Sequence, residues 1–238
     1  PALPDLLFDN GSGGFSPDGR EYLVRTGAGR HTPAPWCNVL ANPSFASVVS
    51  ESGQAHTWSG DARAARLTPH PHDSVAGGGE AFYLRDETSG AFWSPSALPA
   101  PSGGAYLTRH GFGYSVFEHT AHGIHSELRT FVALEAPLKY AVLRVRNDSS
   151  APRRLSATGY VEWMLGRQGS EDALHVVTGR DPGSGALFAR NAWNPDFADR
   201  SAFFHVDAPQ AAFTCDRLDF LGRRLGAGLG GGLIRHGR

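Results

Sequence analysis

The sequence predicts an all-β protein, folded as one large antiparallel sandwich. Its 238 residues are 40% apolar, 19% charged and 11% aromatic, which is the composition of an ordinary globular protein with a hydrophobic core. The 30 glycines and 16 prolines interrupt the chain so often that few windows could hold the apolar stripe of a helix. Segments of alternating apolar and polar residues are frequent instead, and such alternation is typical of antiparallel sheets.

The clearest strands lie in the middle of the chain, over residues 114–120, 124–134 and 139–147, with short turns between them. In the second segment Ile124, Leu128 and Val132 share one face, while polar side chains occupy the other. This period of two predicts a half-buried strand. Further strands are predicted over residues 45–50, 55–59, 81–85, 91–94, 155–165, 186–190, 201–206 and 211–221.

The segment 139–147 repeats the alternation. Ala141, Leu143 and Val145 are predicted to form its apolar face, and the arginines at 144 and 146 to lie on the opposite face. The segments 73–80 and 95–104 are predicted to be long surface loops, which are uncommon in compact domains and often functional. We therefore expect one β domain over residues 1–223, followed by a glycine-rich tail or linker over 224–238.

Composition also excludes several classes of function. The net charge of −1, with no basic block, offers no surface for a nucleic acid backbone. No apolar run of about 18 residues is present and the first residues show no n-region and h-region, so we expect no membrane segment, no signal peptide and a cytoplasmic location. Cys37 and Cys215 are too few for a disulfide framework or a zinc site.

Metal and cofactor motifs are weak. His119, His122 and His125 are spaced three apart, but in a strand the middle ring opposes the other two, and Gly123 predicts a hairpin turn between them. The Gly-x-Gly strings at Gly27 and 226 lack the strand and helix that a phosphate-binding loop needs. We expect no metal and no cofactor.

Carboxylates and tryptophans are the residue types that would serve carbohydrate chemistry. Glycosidic bond cleavage needs a carboxylic acid, and Glu118, Glu127 and Glu162 lie on predicted strands, although charged strand residues are more often solvated or paired with arginine. Indole rings can stack on sugars, but most tryptophans in a sandwich of this size pack in the core. The five tryptophans are Trp36, Trp58, Trp93, Trp163 and Trp193.

Eleven short strings of the sequence form a recognisable series: Asp9-Asn10-Gly11, 14–22, 32–38, Ala41-Asn42-Pro43, 61–63, 66–68, 83–86, 93–95, 160–163, 189–195 and 215–223. Together they resemble the N-terminal domain of glycoside hydrolase family ninety-four, formerly glycosyltransferase family thirty-six. This family contains the inverting cellobiose and chitobiose phosphorylases and the phosphorylase-like region of cyclic β-1,2-glucan synthases. The resemblance spans residues 6–223, and the last two strings are most similar to the glucan-synthase branch. If the parent protein is such a synthase, the expected cytoplasmic location is within a larger membrane-associated protein.

The resemblance implies a β-supersandwich similar to the galactose mutarotase-like fold. In that family a helical linker and an (α/α) barrel come after this domain, and the barrel carries the general acid and the phosphate site. No catalytic residue can therefore be placed on this chain, whose expected role is that of a non-catalytic carbohydrate-binding and assembly domain. Its expected partners are a β-glucan oligosaccharide and the helical-barrel catalytic domain of the same or a neighbouring chain, with a homodimer as a further candidate.

The loop after the 155–165 strand is the predicted functional edge. In the resembled phosphorylases a loop of this domain lies near the sugar site of a neighbouring subunit. The segment 166–172 is polar and turn-prone, and Arg167 is its first candidate because a guanidinium can bind paired hydroxyls or a carboxylate with two hydrogen bonds. The other candidates for the carbohydrate site are Glu171, Trp36 and Trp163.

Two alternative functions remain open from the sequence. The first is a sugar epimerase of mutarotase type, which needs a histidine and a glutamate in one groove and for which only His175 and Glu162 are nominated. The second is a free-standing glycan-binding module, which would bind oligosaccharide unaided. Whether the chain alone is an enzyme is not decided by these patterns, but the parent enzyme would be an inverting glycoside phosphorylase or glycosyltransferase.

Overall fold

The computed structural model describes residues 5–27, 29–70, 79–167, 171–208 and 212–221. These residues form fifteen strands, one 3-10 helix and one short α-helix. The strands are β1 (Gly13–Phe15), β2 (Glu21–Thr26), β3 (Cys37–Asn42), β4 (Phe45–Ser50), β5 (Ala55–Ser59), β6 (Glu80–Asp86), β7 (Phe92–Trp93), β8 (Tyr106–Gly111), β9 (Tyr114–Ala121), β10 (Ile124–Val132), β11 (Lys139–Asn147), β12 (Leu155–Val161), β13 (Val177–Arg180), β14 (Leu187–Arg190) and β15 (Ser201–Phe204). The 3-10 helix is Glu171–His175 and the α-helix, α1, is Arg217–Leu221.

All strand pairs in the described chain are antiparallel, which confirms the predicted all-β class. A six-stranded sheet has the order β1-β2-β8-β9-β10-β11. Three smaller sheets have the orders β3-β4-β5, β12-β6-β7 and β13-β14-β15.

Two of the small sheets pack on the six-stranded sheet and enclose the core. The sheet β3-β4-β5 meets β9 and β10 through a cluster that includes Leu40, Val49, Phe117 and Leu128. The sheet β12-β6-β7 meets the same strands at their β9–β10 turn, where Trp93 is fully buried among apolar side chains. Burying such side chains contributes about 1.5–3 kcal/mol each, so these two contacts hold the sandwich together.

Asparagine amides add polar ties between the sheets. The amide of Asn38 on β3 donates to the carbonyls of Gly111 and Tyr114, both at 2.9 Å, and so reaches the β8–β9 hairpin. The amide of Asn42 donates to the carbonyls of Ala133 and Ala136, both at 2.8 Å, beyond the end of β10. Buried carbonyls need such partners, because an unpaired polar group is costly in a core.

Strand β11 departs from the expected burial. Leu143 packs against the core, but Ala141 and Val145, predicted on the same apolar face, are exposed. The reason is its position: within the described chain β11 pairs only with β10 and is the last strand of its sheet, so little lies beside it. The alternation identified the strand correctly and could not show that it is at an edge.

Two further predictions need correction. The strand expected over 155–165 ends at Val161, and residues 162–165 form no strand. The strand expected over 211–221 is wrong, because its described part, 212–221, contains α1 instead. Asp216 begins this helix: its carboxylate accepts the N–H of Asp219, as a helix N-cap does. Strands β1, β2, β3, β8 and β13 were not predicted, and the predicted tail, 224–238, lies outside the described residues.

Candidate functional site

The segment after β12 is held against a turn from another part of the chain. The N–H of Met164 donates to the carbonyl of Leu67 at 2.8 Å, and the N–H of Gly166 donates to that of Arg66 at 3.1 Å. Both hydrogen bonds are between backbones, so residues 164–166 run along the neighbouring segment almost as a strand would. The segment therefore leaves the sheet in a defined direction.

Leu165 lies in the left-handed region with φ of 49°, which is unusual for a residue with a branched side chain. Its carbonyl accepts the side-chain amides of Asn191 at 3.1 Å and Asn194 at 3.2 Å, and Asn194 also donates to the carbonyl of Ala64 at 3.0 Å. Both asparagines are buried, with 2% and 3% of their surface exposed. A strained conformation of this kind persists only where its surroundings over-determine it. We call these two asparagines with the two carbonyls the asparagine clamp.

Arg167 lies two residues after Leu165, whose carbonyl the clamp holds. The guanidinium of Arg167 is 62% exposed and lies 3.5 Å from the carboxylate of Asp196, which is itself 55% exposed. An ion pair this exposed contributes little to stability, about 0–1 kcal/mol. A ligand could therefore replace either partner of the pair with little loss of stability. Glu171 is also exposed, at the start of the 3-10 helix. Residues 168–170 of the predicted loop lie outside the described residues.

Trp193 and His175 form a stacked pair close to this edge. The ring centroids are 4.5 Å apart and the planes are 19° from parallel, and the tryptophan is 65% exposed. Trp193 is not among the site residues predicted from the sequence. The sequence did contain a local signal that Trp193 lies in a turn. Trp193 stands between two asparagines spaced three apart, in a segment with a proline and no strand alternation.

Trp36 and Trp163, the two tryptophans predicted as site residues, lie in different surroundings. Trp36 is half-buried and packs edge-on against Tyr22 at 5.8 Å, and its backbone N–H donates to the buried carboxylate of Glu51 at 2.8 Å. Its carbonyl accepts from the ring of His110 at 3.1 Å. Trp163 is half-buried on the segment just before the clamp. None of these three contacts of Trp36 involves Arg167. Trp163 and Arg167 share one segment, whereas Trp36 lies in another region.

The carboxylates singled out by the sequence have basic partners. Glu118 and Glu127 lie 2.8 Å and 3.7 Å from the guanidinium of Arg109. Glu162 accepts hydrogen bonds from the phenol of Tyr160 at 3.0 Å and from Arg217 at 3.1 Å. Glu118 on β9 and Glu127 on β10 are thus paired as charged strand residues commonly are, and Glu162 is paired just beyond the end of β12.

His175 and Glu162, the pair nominated for an epimerase, contact different partners. His175 stacks on Trp193, whereas Glu162 is bonded to Tyr160 and Arg217. The three spaced histidines are also divided: His119 is buried between Ser102 and the carbonyl of Ala105, and His122 lies in the β9–β10 turn. Within the described ranges, no three histidine, cysteine or carboxylate side chains converge on a metal-sized position.

The structure is thus an antiparallel β sandwich with an exposed edge that carries an arginine, carboxylates and an aromatic pair. The chain belongs to the glycosyl hydrolase 94 family: the model of its supersandwich domain matches residues 20–229. No helix in the described part of the chain is long and apolar enough to cross a membrane.

Comparison with curated proteins finds relatives with larger chains. The cyclic beta-(1,2)-glucan synthase NdvB of Rhizobium meliloti (strain 1021) is 42% identical over 221 residues, which are 92% of this chain and 8% of the relative. The N,N'-diacetylchitobiose phosphorylase of Vibrio furnissii is 30% identical over 215 residues, or 87% of this chain and 26% of the relative. The solabiose phosphorylase of Paenibacillus borealis is 31% identical over 159 residues, 65% of this chain and 20% of the relative. The chain thus spans about a quarter or less of the length of each of these relatives.

Proposed function

We propose that this chain is the non-catalytic carbohydrate-binding and assembly domain of a β-glucan phosphorylase or cyclic β-1,2-glucan synthase. The observation that carries the proposal is the edge beside the asparagine clamp, where exposed Arg167 and Asp196 stand on a rigid base. A helical-barrel catalytic domain, of the same or a neighbouring chain, is the expected partner. The relatives named as phosphorylases and as a glucan synthase support this class of reaction.

The role proposed for Arg167 is derived from its chemistry and position. A guanidinium presents parallel N–H donors, which suit two neighbouring hydroxyls of a sugar or a carboxylate of the barrel. Arg167 follows Leu165, whose carbonyl is held by two amides, by only two residues, so its backbone should lose less conformational entropy on binding than that of an unsupported loop. The domain would then shape the glycan site without taking part in bond cleavage.

The test supplies the barrel, as a full-length relative carrying this domain or as a co-expressed partner. We expect Arg167→Ala to lower kcat/KM by about 1–3 kcal/mol of transition-state stabilisation, as for a lost charged hydrogen bond. Arg144→Ala is the matched control, since Arg144 is 70% exposed and paired with Glu127 at 3.2 Å in another part of the surface. Unchanged kcat/KM and unchanged oligomer size in the Arg167 variant would contradict the proposal.

The chain alone should be inactive. We expect the purified protein to release no glucose 1-phosphate from sophorose or cellobiose in the presence of phosphate. Release that is abolished by Glu162→Gln would show that a carboxylate of this chain is catalytic, and it would overturn the non-catalytic role.

A further inference from the structure

The exposed indole of Trp193 is held more rigidly than a surface side chain usually is. The turn that carries it is fixed at both ends by the asparagine clamp, and the backbone N–H of Trp193 donates to the Oδ1 of Asn191 at 3.1 Å. One face of the ring is covered by the imidazole of His175. Because 65% of the residue is nevertheless exposed, the opposite face is open to solvent.

Hydrogen-bonding side chains lie on the same turn. The N–H of Asp196 donates to the side chain of Asn194 at 3.1 Å, so Asp196 belongs to the clamped segment, and its carboxylate faces the guanidinium of Arg167 at 3.5 Å. This pair offers both donors and an acceptor in an exposed position. Trp193 lies three residues before Asp196 on this turn. A flat aromatic face and such a pair on one turn match the two sides of a pyranose, whose ring face is apolar C–H and whose edge is hydroxyl.

We propose that the open face of Trp193 is a stacking site for a β-linked glucose unit, and that Arg167 and Asp196 bind the hydroxyls at the edge of that unit. This proposal rests on the proposed function for the class of sugar. Ring C–H groups carry partial positive charge and are attracted to the negative face of an indole. The stacked imidazole keeps the indole in one orientation, so binding costs little side-chain entropy.

A protein partner is the competing occupant. Leu174 and Val177, on either side of His175, are 82% and 65% exposed and would be buried along with the tryptophan if a second protein surface docked here. The Arg167–Asp196 pair favours the sugar, because an apolar docking surface would have to desolvate both charges.

The experiment titrates the purified full chain with a linear β-1,2-linked glucotetraose, monitored by the indole N–H signals in NMR spectra and by calorimetry. We expect the Trp193 signal to shift, Trp193→Ala to weaken binding at least about tenfold, Trp193→Tyr to weaken it less, and Arg167→Ala to weaken it several-fold. Phe112→Ala is the matched control, because Phe112 is 89% exposed in the β8–β9 turn, and it should bind as the unchanged chain does.

Three results would overturn the stacking site. They are no binding by the unchanged chain, equal binding by Trp193→Ala, and loss of assembly with the barrel in Trp193→Ala without any loss of glycan binding, which would assign a protein-docking surface. The proposed function is judged separately by Arg167→Ala in the barrel-containing enzyme. If the chain binds glycan through Trp193 while that enzyme is unaffected, the stacking site stands and the chain is a free-standing glycan-binding module.

Discussion

The single lysine of the chain is predicted to be one of its most sensitive positions. Lys139 is the only lysine beside 21 arginines, and its ammonium is 2.7 Å from the carboxylate of Glu80 and 2.8 Å from the hydroxyl of Ser47. The hydroxyls of Thr57 and Thr68 donate to the same carboxylate at 2.5 Å and 3.0 Å. Only 12% of the lysine side chain and 14% of the glutamate side chain are exposed. The network joins β4, β5, β6 and β11, and so ties three sheets together.

The loss of stability in each variant depends on which charge is left without its partner. Lys139→Met keeps the size of the side chain and leaves a buried carboxylate with only the two threonine donors, which should cost about 3 kcal/mol, the lower end for a broken buried pair. Glu80→Gln leaves the ammonium without a counter-charge and should cost a similar amount. The double variant removes both charges. Its loss of stability should be smaller than the sum of the two single losses by at least about 2 kcal/mol. Lys139→Arg should also destabilise, because the planar guanidinium cannot occupy the position of a compact ammonium.

The assay is urea unfolding at 25 °C, with the free energy of unfolding compared between the variants. Burial alone would raise the pKa of Glu80, but the ammonium and the hydroxyl donors outweigh it and lower the pKa below its ordinary value of 4.5. The stability that the carboxylate contributes is therefore present above pH 4.5 and is lost as the pH falls through the lowered pKa. Glu80→Gln should lack this acid-dependent loss. Additive single changes, or a Lys139→Met cost below about 1 kcal/mol, would refute the reasoning.

Three further predictions concern packing, the clamp and a histidine. Gly159→Ala would drive a Cβ into the ring of Phe204 and should destabilise by about 1–3 kcal/mol in urea, whereas Gly103→Ala, with open space around it, should change stability by less than about 0.5 kcal/mol. Asn194→Ala should speed tryptic cleavage at the clamped edge, since the carbonyl of Ala64 loses this side-chain donor and that of Leu165 keeps only the amide of Asn191; unchanged cleavage would contradict the role of the clamp. Burial lowers the pKa of His56 to about 4 from 6.5, so its NMR titration should be complete only near pH 3, and the stability linked to it should fall as the pH drops from 6.5 to 4.

The sequence predicted those parts of the fold in which alternation is regular and uninterrupted. The bounds predicted for β4 and β5 are those observed, and those for β9, β10 and β11 agree within two residues. Short strands such as β1, with three residues and two glycines, carry too few side chains to show a period. A local pattern also does not show which strands lie beside a given strand. For this reason the exposure of Val145 on β11 was not predicted.

The candidate site shows the same limit at the level of single residues. Polarity after a strand was enough to select Arg167, because a polar and glycine-containing segment is expected to be exposed. Its setting was not predictable, since Leu165 takes a left-handed conformation only because amides from a segment almost 30 residues further along the chain capture its carbonyl.

Four asparagines in the strings that carry the family resemblance have structural roles, and this bears on how the functional positions of the family should be sought. Asn38 and Asn42 join sheets, and Asn191 and Asn194 form the clamp. Each of these amides satisfies backbone carbonyls distant in sequence, a task that needs an amide donor on a short side chain and leaves little freedom of choice. Residues that such amides hold in place, like Trp193, carry no recognisable spacing of their own. Trp193 itself lies in the string 189–195, between the two clamp asparagines. A search for binding positions in this domain should therefore begin, within such strings, with the exposed side chains adjacent to buried asparagines.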